Sequence, residues 1–255
     1  MKIILIGSTG QLGTDIIHNL PKGIEIIAPS KHELDLSNSE DCYEYVLKNS
    51  PDWIINSGAY TNVDKAEKDR KIAYKVNAKS PEAMAQAISS IKGKFLQISS
   101  DYVFDGEQNF PYKVNQKSSP INFYGTSKAD CEFYLQNVLN QDNQLCIIRT
   151  SWLMGPFGKN FAKTILELNR SRELIKVVSD QIGCPTSSIS LAEVCWKIIE
   201  KNIKDNQYIF PPIMHWRDDG ITSWYEIAKE LGNIGLRLKK FQKKAKVEAI
   251  KSIDY

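Results

Sequence analysis

Tyr124-Gly125-Thr126-Ser127-Lys128 sets a phenol and an ammonium four residues apart, near the start of a helical pattern. Residues i and i+4 share one helical face, so the two groups point the same way. A phenol has a pKa of about 10 and is a poor acid or base at neutral pH; moving it three units takes about 4 kcal/mol. One cation at ~4 Å supplies roughly that much at an effective dielectric near 20. The pair is therefore equipped to pass a proton to or from a reacting oxygen. The pattern alone is cheap, because Tyr225-Glu226-Ile227-Ala228-Lys229 carries it too. Context separates them: only Tyr124 follows a strand that ends in hydroxyls, and Tyr225 and Lys229 read as an ordinary helix.

That strand is Lys94-Phe95-Leu96-Gln97-Ile98, and it runs into Ser99-Ser100-Asp101-Tyr102. A buried parallel strand is expected to be Val, Ile and Leu throughout. Two hydroxyls and a carboxylate at its end suit the carboxyl edge of a sheet, where α/β folds bind ligands. Ser100 is expected to hydrogen-bond a substrate carbonyl beside Tyr124, with Ser99 and Asp101 facing the same ligand. The other reading is a turn held by Ser and Asp side chains.

The elements that must position these groups alternate. Ile3–Ile6, Ile24–Ala28, Trp53–Asn56, Phe95–Ile98 and Leu145–Ile148 read as short apolar strands. Gln11–Leu20, Ser39–Asn49 (opened by a Ser cap), Ala73–Ser90 and Tyr124–Leu139 read as helices between them. This βαβα order predicts an α/β fold of the Rossmann type, a doubly wound parallel sheet covered on both faces. A (β/α)8 barrel is the fallback, but its phosphate site would come late in the chain. After Arg149 the pattern is broken by Pro156, Pro185, Pro211 and Pro212. The expected division is a dinucleotide-binding domain over 1–150 and a smaller substrate-binding lobe over 151–255, with a helix near 189–201 packing back on the first domain.

Gly7-Ser8-Thr9-Gly10-Gln11-Leu12-Gly13 lies between the first strand and the first helix. In such a G-x-x-G-x-x-G turn, Gly7 permits the tight bend and Gly10 lets backbone approach a pyrophosphate. Gly13 lets the helix pack on the strand, whose partner helix offers free N–H groups to the anion. No acid closes the second strand to grip a ribose; Pro29-Ser30-Lys31-His32 stands there instead. Ser30 and Lys31 tolerate a 2′-phosphate, which leans toward NADPH over NADH. Asp35 and Leu36 are better placed to flank an adenine.

Composition narrows the rest. Hydrophobic content of 42% and charged content of 25% suit a soluble globular enzyme. No apolar run approaches the ~20 residues of a membrane span, and MKIILIGSTG lacks a signal peptide's long apolar core, so a cytoplasmic protein is expected. Five scattered cysteines and three separated histidines form no metal-ligand spacing and no disulfide framework. Seven Lys/Arg against two acids give Leu236–Tyr255 a charge of +5, leaving −2 for the rest of a chain whose total is +3. Apolar residues interleave that stretch, so strand or helix with a solvated basic face is expected rather than a nucleic-acid-binding arm.

Taken together these residues resemble the extended short-chain dehydrogenase/reductases, and within them the dTDP-4-dehydrorhamnose reductase family. The likeness runs through GSTGQLG (7–13), LDL (34–36), INSGAYTNVDKAE (55–67), VNAKSPEAMA (76–85), SSDYVFDG (99–106), PINFYGTSK (120–128), RTSWLMG (149–155), NFAKTIL (160–166) and SDQIGCPT (179–186). It implies a reductase acting on the 4-keto group of dTDP-4-dehydro-L-rhamnose with NADPH or NADH. Gly10, Gln11 and Leu12 would touch the cofactor phosphates, Asp35 and Leu36 the adenine, and Ala59, Tyr60 and Thr61 the middle of the cofactor. Tyr124 and Lys128 would be the catalytic pair and also meet the cofactor, with Ser100, Asp101 and Trp152 on the nucleotide-sugar. The family usually has Thr at Ser100, which keeps the hydroxyl. Some members bridge a dimer through a metal held by a glutamate; Ser187-Ser188-Ile189-Ser190 offers none, so no metal is expected, while a homodimer is admitted. The family also runs on past the position of Tyr255, which bears on the completeness of the sugar site. The alternatives are another nucleotide-sugar reductase or epimerase, and a non-catalytic nucleotide-binding subunit of methionine adenosyltransferase.

Overall fold

The computed structural model describes residues 1–139, 143–205 and 209–254. Strands β1 (Lys2–Ile6), β2 (Glu25–Ile27), β3 (Trp53–Asn56), β4 (Lys94–Ser100) and β5 (Leu145–Thr150) form one sheet with Ile213–His215. The spatial order is Ile213–His215, β5, β4, β3, β1, β2, and every pairing is parallel. The chain leaves β1 for β2 on one side and then returns to β3 on the other. That reversal is the switch point of a doubly wound sheet, the crevice where such folds bind ligands.

The strands are apolar on both sides because both sides are covered. Ile3, Leu5 and Ile55 pack with Ile16 of the helix Gln11–His18 and with Leu191, Trp196 and Ile199 of the helix Ser188–Lys204. Ile4, Ile6 and Ile54 pack with Val46, Met84, Ile88, Cys131 and Leu135 of three helices on the opposite face. The core therefore draws a helix and an edge strand from beyond residue 150. A smaller lobe has its own centre of Ile165, Ile175, Val177, Ala228 and Ala245. It joins the helices Phe161–Ser171 and Trp224–Arg237 to the parallel pair Leu174–Val178 and Lys246–Ile250. The basic stretch thus becomes the end of a helix and a strand.

Local chemistry moves several boundaries. The helix Ser39–Asn49 is capped by Asn38, not by a serine: its side chain accepts from Asp41 N. Helical structure begins at Arg70, before the expected Ala73, and widens to a π turn over Lys75–Lys79 before continuing over Ser80–Ser90. β4 and β5 each run two residues past the apolar core, to Ser100 and Thr150, which pair across the ladder. Among the described residues no helix is long and apolar enough to cross a membrane.

Candidate active site

At the end of β1 the chain turns through Gly7 at φ +79°, in the left-handed region that favours glycine. A Cβ there would come within 2.6 Å of Gly58 N, so the turn is pressed against the end of β3. Gly10 N donates to Gly7 O at 3.0 Å, and Gly10 occupies the N-cap of Gln11–His18 without a side-chain cap. The first-turn amides of Gln11, Leu12 and Gly13 are therefore left by the sequence to an anion. Bare backbone, a helix start and a glycine packed too closely for any side chain are what a dinucleotide pyrophosphate requires, and the residues fit one.

The next two loops line the same edge. Leu36 lies against Gly58, where an added Cβ would meet Leu36 Cδ1 at 2.9 Å, and Ser80 Oγ donates to Leu36 O at 2.5 Å. Asp35 accepts from Ser37 N at 2.9 Å, which holds its carboxyl below the ordinary range, with Lys31 and Lys75 adding to the effect. Ala59, Tyr60 and Thr61 follow β3. Tyr60 N donates to Asn77 Oδ1 at 2.7 Å, and Asn77 Nδ2 donates back to Tyr60 O at 3.1 Å and to Ser127 Oγ at 3.0 Å. Ser127 Oγ in turn donates to Tyr124 O at 2.7 Å. Asn77 sits in the π turn, a feature often found at functional sites. It ties the loop after β3 to the helix of Tyr124, a role that sequence reasoning did not give it. The signal was present as a lone amide between Val76 and Ala78 in a helical pattern.

The helix Phe123–Val138 starts where the sequence demands. Asn122 Oδ1 accepts from Gly125 N at 2.8 Å, and Phe123 N donates to Glu67 Oε1 at 2.6 Å. Gly125 presses on Tyr102 O, where a Cβ would overlap the carbonyl, so the helix start closes directly onto the turn after β4. Tyr102 and Tyr124 meet edge to face at 5.5 Å. The structure therefore brings Tyr124, Lys128, Ser100 and Asp101 together at the tip of β4.

Within that cluster the electrostatics differ from the sequence expectation. Tyr124 is pushed up, not down: burial dominates, the neighbouring charges of Asp101 and Tyr102 add to it, and a hydrogen bond with Ser100 opposes it. Lys128 is fully buried and its own pKa is lowered by burial. Its ammonium donates to Ile98 O at 2.8 Å, on the strand beneath. The lysine thus anchors to β4, and burial, not the lysine, sets the direction of the phenol's shift. A phenol with a raised pKa remains protonated at neutral pH, the state needed to donate a proton. Asp101 is pushed up to about 6 by burial, against the hydrogen bonds from Ser100 and Tyr102 N. Ser100 Oγ donates to Asp101 Oδ1 at 3.0 Å.

Ser99 departs from expectation. Side chains alternate along a strand, so it points away from Ser100 and donates to Glu132 Oε1 at 2.5 Å. Glu132 pairs with Arg149, Oε2 to Nη2 at 2.6 Å, and both are almost fully buried. Arg149 also donates to Val114 O at 3.2 Å and packs over Phe104 at 5.0 Å. Ser99 belongs to this scaffold under the site, not to the ligand face. Tyr225 and Lys229 lie on Trp224–Arg237 in the smaller lobe, the ammonium 5.2 Å over the ring. Trp152, beyond the end of β5, has φ +45° and stacks on Trp224 at 3.7 Å. Trp224 was not singled out by sequence.

A family model described as the RmlD substrate binding domain matches residues 1–255. A dTDP-4-dehydrorhamnose reductase of Aggregatibacter actinomycetemcomitans is 35% identical over 256 residues, covering 100% of this chain and 86% of that protein. The crystal structure of a dTDP-4-dehydrorhamnose reductase from Clostridium acetobutylicum superposes with a TM-score of 0.88 at 35% identity, over 100% of this chain and 85% of that one. That of the Bacillus anthracis dTDP-4-dehydrorhamnose reductase in complex with NADP gives 0.87 at 34% identity, over 99% and 85%.

Proposed function

This chain belongs to the dTDP-4-dehydrorhamnose reductase family, and from that premise we propose that it reduces the 4-keto group of dTDP-4-dehydro-L-rhamnose to dTDP-L-rhamnose, using NADPH and accepting NADH. The observation that carries the reading is the buried Tyr124 phenol beside the Ser100 hydroxyl and Lys128, on the sheet edge that also holds the Gly7–Gly13 turn.

NADPH supplies the hydride. The first-turn amides of Gln11, Leu12 and Gly13 would hold its phosphates, Asp35 and Leu36 would flank the adenine, and Ala59, Tyr60 and Thr61 would support its middle. Lys31, within electrostatic reach of Asp35, would supply a positive charge for a 2′-phosphate. Tyr124 holds the proton that the carbonyl oxygen receives, and burial keeps it on the phenol until transfer. Ser100 provides a second hydrogen bond to the same oxygen, exchanging its donation to Asp101 for one to the substrate. Lys128, one turn on from Tyr124 along the same helix face and pinned to Ile98 O, fixes the geometry of that face, and its positive charge favours the phenolate that forms once the proton has left. Asp101 and Trp152 contact the sugar.

The test is incubation of the purified protein with NADPH and a panel of dTDP-4-keto sugars, followed by loss of the reduced-nicotinamide absorbance and by identification of the sugar product. Oxidation of NADPH dependent on dTDP-4-dehydro-L-rhamnose supports the reading. Cofactor binding with no turnover of any 4-keto sugar overturns it.

A further inference from the structure

Trp152 is the third residue past the ladder partner of Ser99 and the second past that of Ser100, and it adopts φ +45°. A large aromatic in the left-handed region is strained and persists only when its surroundings hold it there. Those surroundings are specific. Trp224 stacks on the indole with ring centroids 3.7 Å apart and planes 16° from parallel. On Gly183 a Cβ would lie 2.5 Å from Cε2, 2.6 Å from Cζ2 and 3.1 Å from Cδ2 of the same indole. Contact with both ring-fusion atoms is an approach over the face, not the edge, so the glycine backbone is laid on the ring and no larger residue would leave the indole in place. Thr186 N donates to Trp152 O at 3.2 Å and fixes the backbone.

Trp224 is held as firmly. Its helix opens with a capping box in which Ser223 and Glu226 satisfy each other's backbone amides. Its Nε1 donates to Gln181 Oε1 at 3.2 Å, and Phe161 tilts onto it at 4.6 Å. Gln181 and Gly183 come from one short segment, and Ile182–Gly183 pairs antiparallel with Thr222–Ser223. The same two-stranded contact thus sets both the glycine and the tryptophan that grip Trp152.

We infer that Trp224 is a positioning residue for the substrate site: it holds Trp152 in a strained, pre-set orientation from which the sugar is engaged, and so governs affinity for the nucleotide-sugar and not the chemical step. This builds on the assignment of Trp152 to the sugar made above. Without the stack, Trp152 relaxes to an unstrained backbone, and the sugar must restore the orientation at its own expense. An aromatic pair contributes roughly 0.5–1.5 kcal/mol beyond its buried area, up to about tenfold in affinity.

The experiment uses Trp224→Leu, which keeps apolar volume for the lobe, Trp224→Phe, which keeps a stacking ring, and Trp152→Leu as reference. Each is measured for KM and kcat with the nucleotide-sugar, for NADPH affinity by calorimetry, and for the exciton-coupled circular dichroism signal of stacked indoles. The expected result is a KM raised about tenfold in Trp224→Leu with kcat and NADPH affinity kept. Trp224→Phe should lose the indole couplet yet hold KM close to that of the parent. If Trp152→Leu raises KM and Trp224→Leu does not, or if Trp224→Phe is as impaired as Trp224→Leu, the positioning role is wrong while the site reading stands. If Trp152→Leu leaves KM unchanged, the assignment of Trp152 fails and the inference with it.

Discussion

The ammonium of Lys128 lies 2.8 Å from the carbonyl oxygen of Ile98, so the helix that carries Tyr124 is pinned by its own cation to the strand that ends in Ser100. Ile98 O also accepts from Gln97 Nε2 at 2.6 Å. Replacing the cation by Lys128→Met therefore removes a buried charge without orphaning the carbonyl. Desolvation already depresses the lysine's pKa, so its loss relieves a penalty. Thermal stability is expected to hold or rise, while turnover falls by ~10²-fold. Parallel loss of melting temperature and rate would mean that the lysine is structural and not catalytic.

Asp101 gives stability a specific pH dependence. Its carboxyl has an ordinary value of 3.8 and is pushed up to about 6 by burial. A raised pKa means that the folded state holds the proton more tightly than the unfolded one. The stabilisation is full below about pH 4 and is lost as pH rises through about 6. At pH 7 the ionised carboxylate is a cost, and Asp101→Asn should stabilise the protein by up to about 3 kcal/mol. Denaturant titrations at several pH values check this: the decline between about pH 4 and 6 should be present in the parent and flattened in the variant.

Glu132 and Arg149 form the buried pair beneath the site. Removing one partner leaves the other charged and unpaired in the interior, which costs about 3–5 kcal/mol, whereas removing both is far milder. Arg149→Met is therefore expected to be strongly destabilised, and Glu132→Leu combined with Arg149→Met to recover most of the loss in urea unfolding. A double variant as unstable as the sum of the singles would show that the two charges do not act as a pair.

The parallel sheet was legible because its strands are short apolar runs between helical patterns, and the Gly7–Gly13 turn because its spacing and place are both distinctive. Tyr124, Lys128, Ser100 and Asp101 were legible as polar groups where a core should continue. Around Tyr124, three things were not. Ser99 reads as a partner of Ser100 until strand alternation turns it toward Glu132, a contact 33 residues away in the chain. Asn77 reads as an ordinary helical polar residue, because its partners Tyr60 and Ser127 lie 17 and 50 residues away. The direction of the Tyr124 shift depends on burial, which spacing cannot reveal: the same Tyr-to-Lys interval at Tyr225 and Lys229 yields only a cation over a ring.

Tyr124 as proposed proton donor and Ser100 as its proposed helper are separable by substitution. Burial keeps Tyr124 protonated beyond its ordinary range, so kcat/KM in the direction of reduction should lack a limb from phenol ionisation up to about pH 10. Tyr124→Phe removes the proton and should lower turnover by ~10²- to 10⁴-fold with cofactor binding kept, while Tyr225→Phe should leave the chemistry alone. In the proposed reaction Ser100 contributes a hydrogen bond that matters most as charge develops on the oxygen. Ser100→Ala should cost about 10²- to 10³-fold in turnover, or about 2.7–4 kcal/mol. Ser100→Thr keeps the hydroxyl and should recover most of it. If the two residues act on one oxygen, as proposed, the double variant should lose less than the product of the two single losses. A Ser100→Ala variant with intact turnover and only a raised KM would make the hydroxyl a binding contact, leaving the carbonyl oxygen to Tyr124 alone.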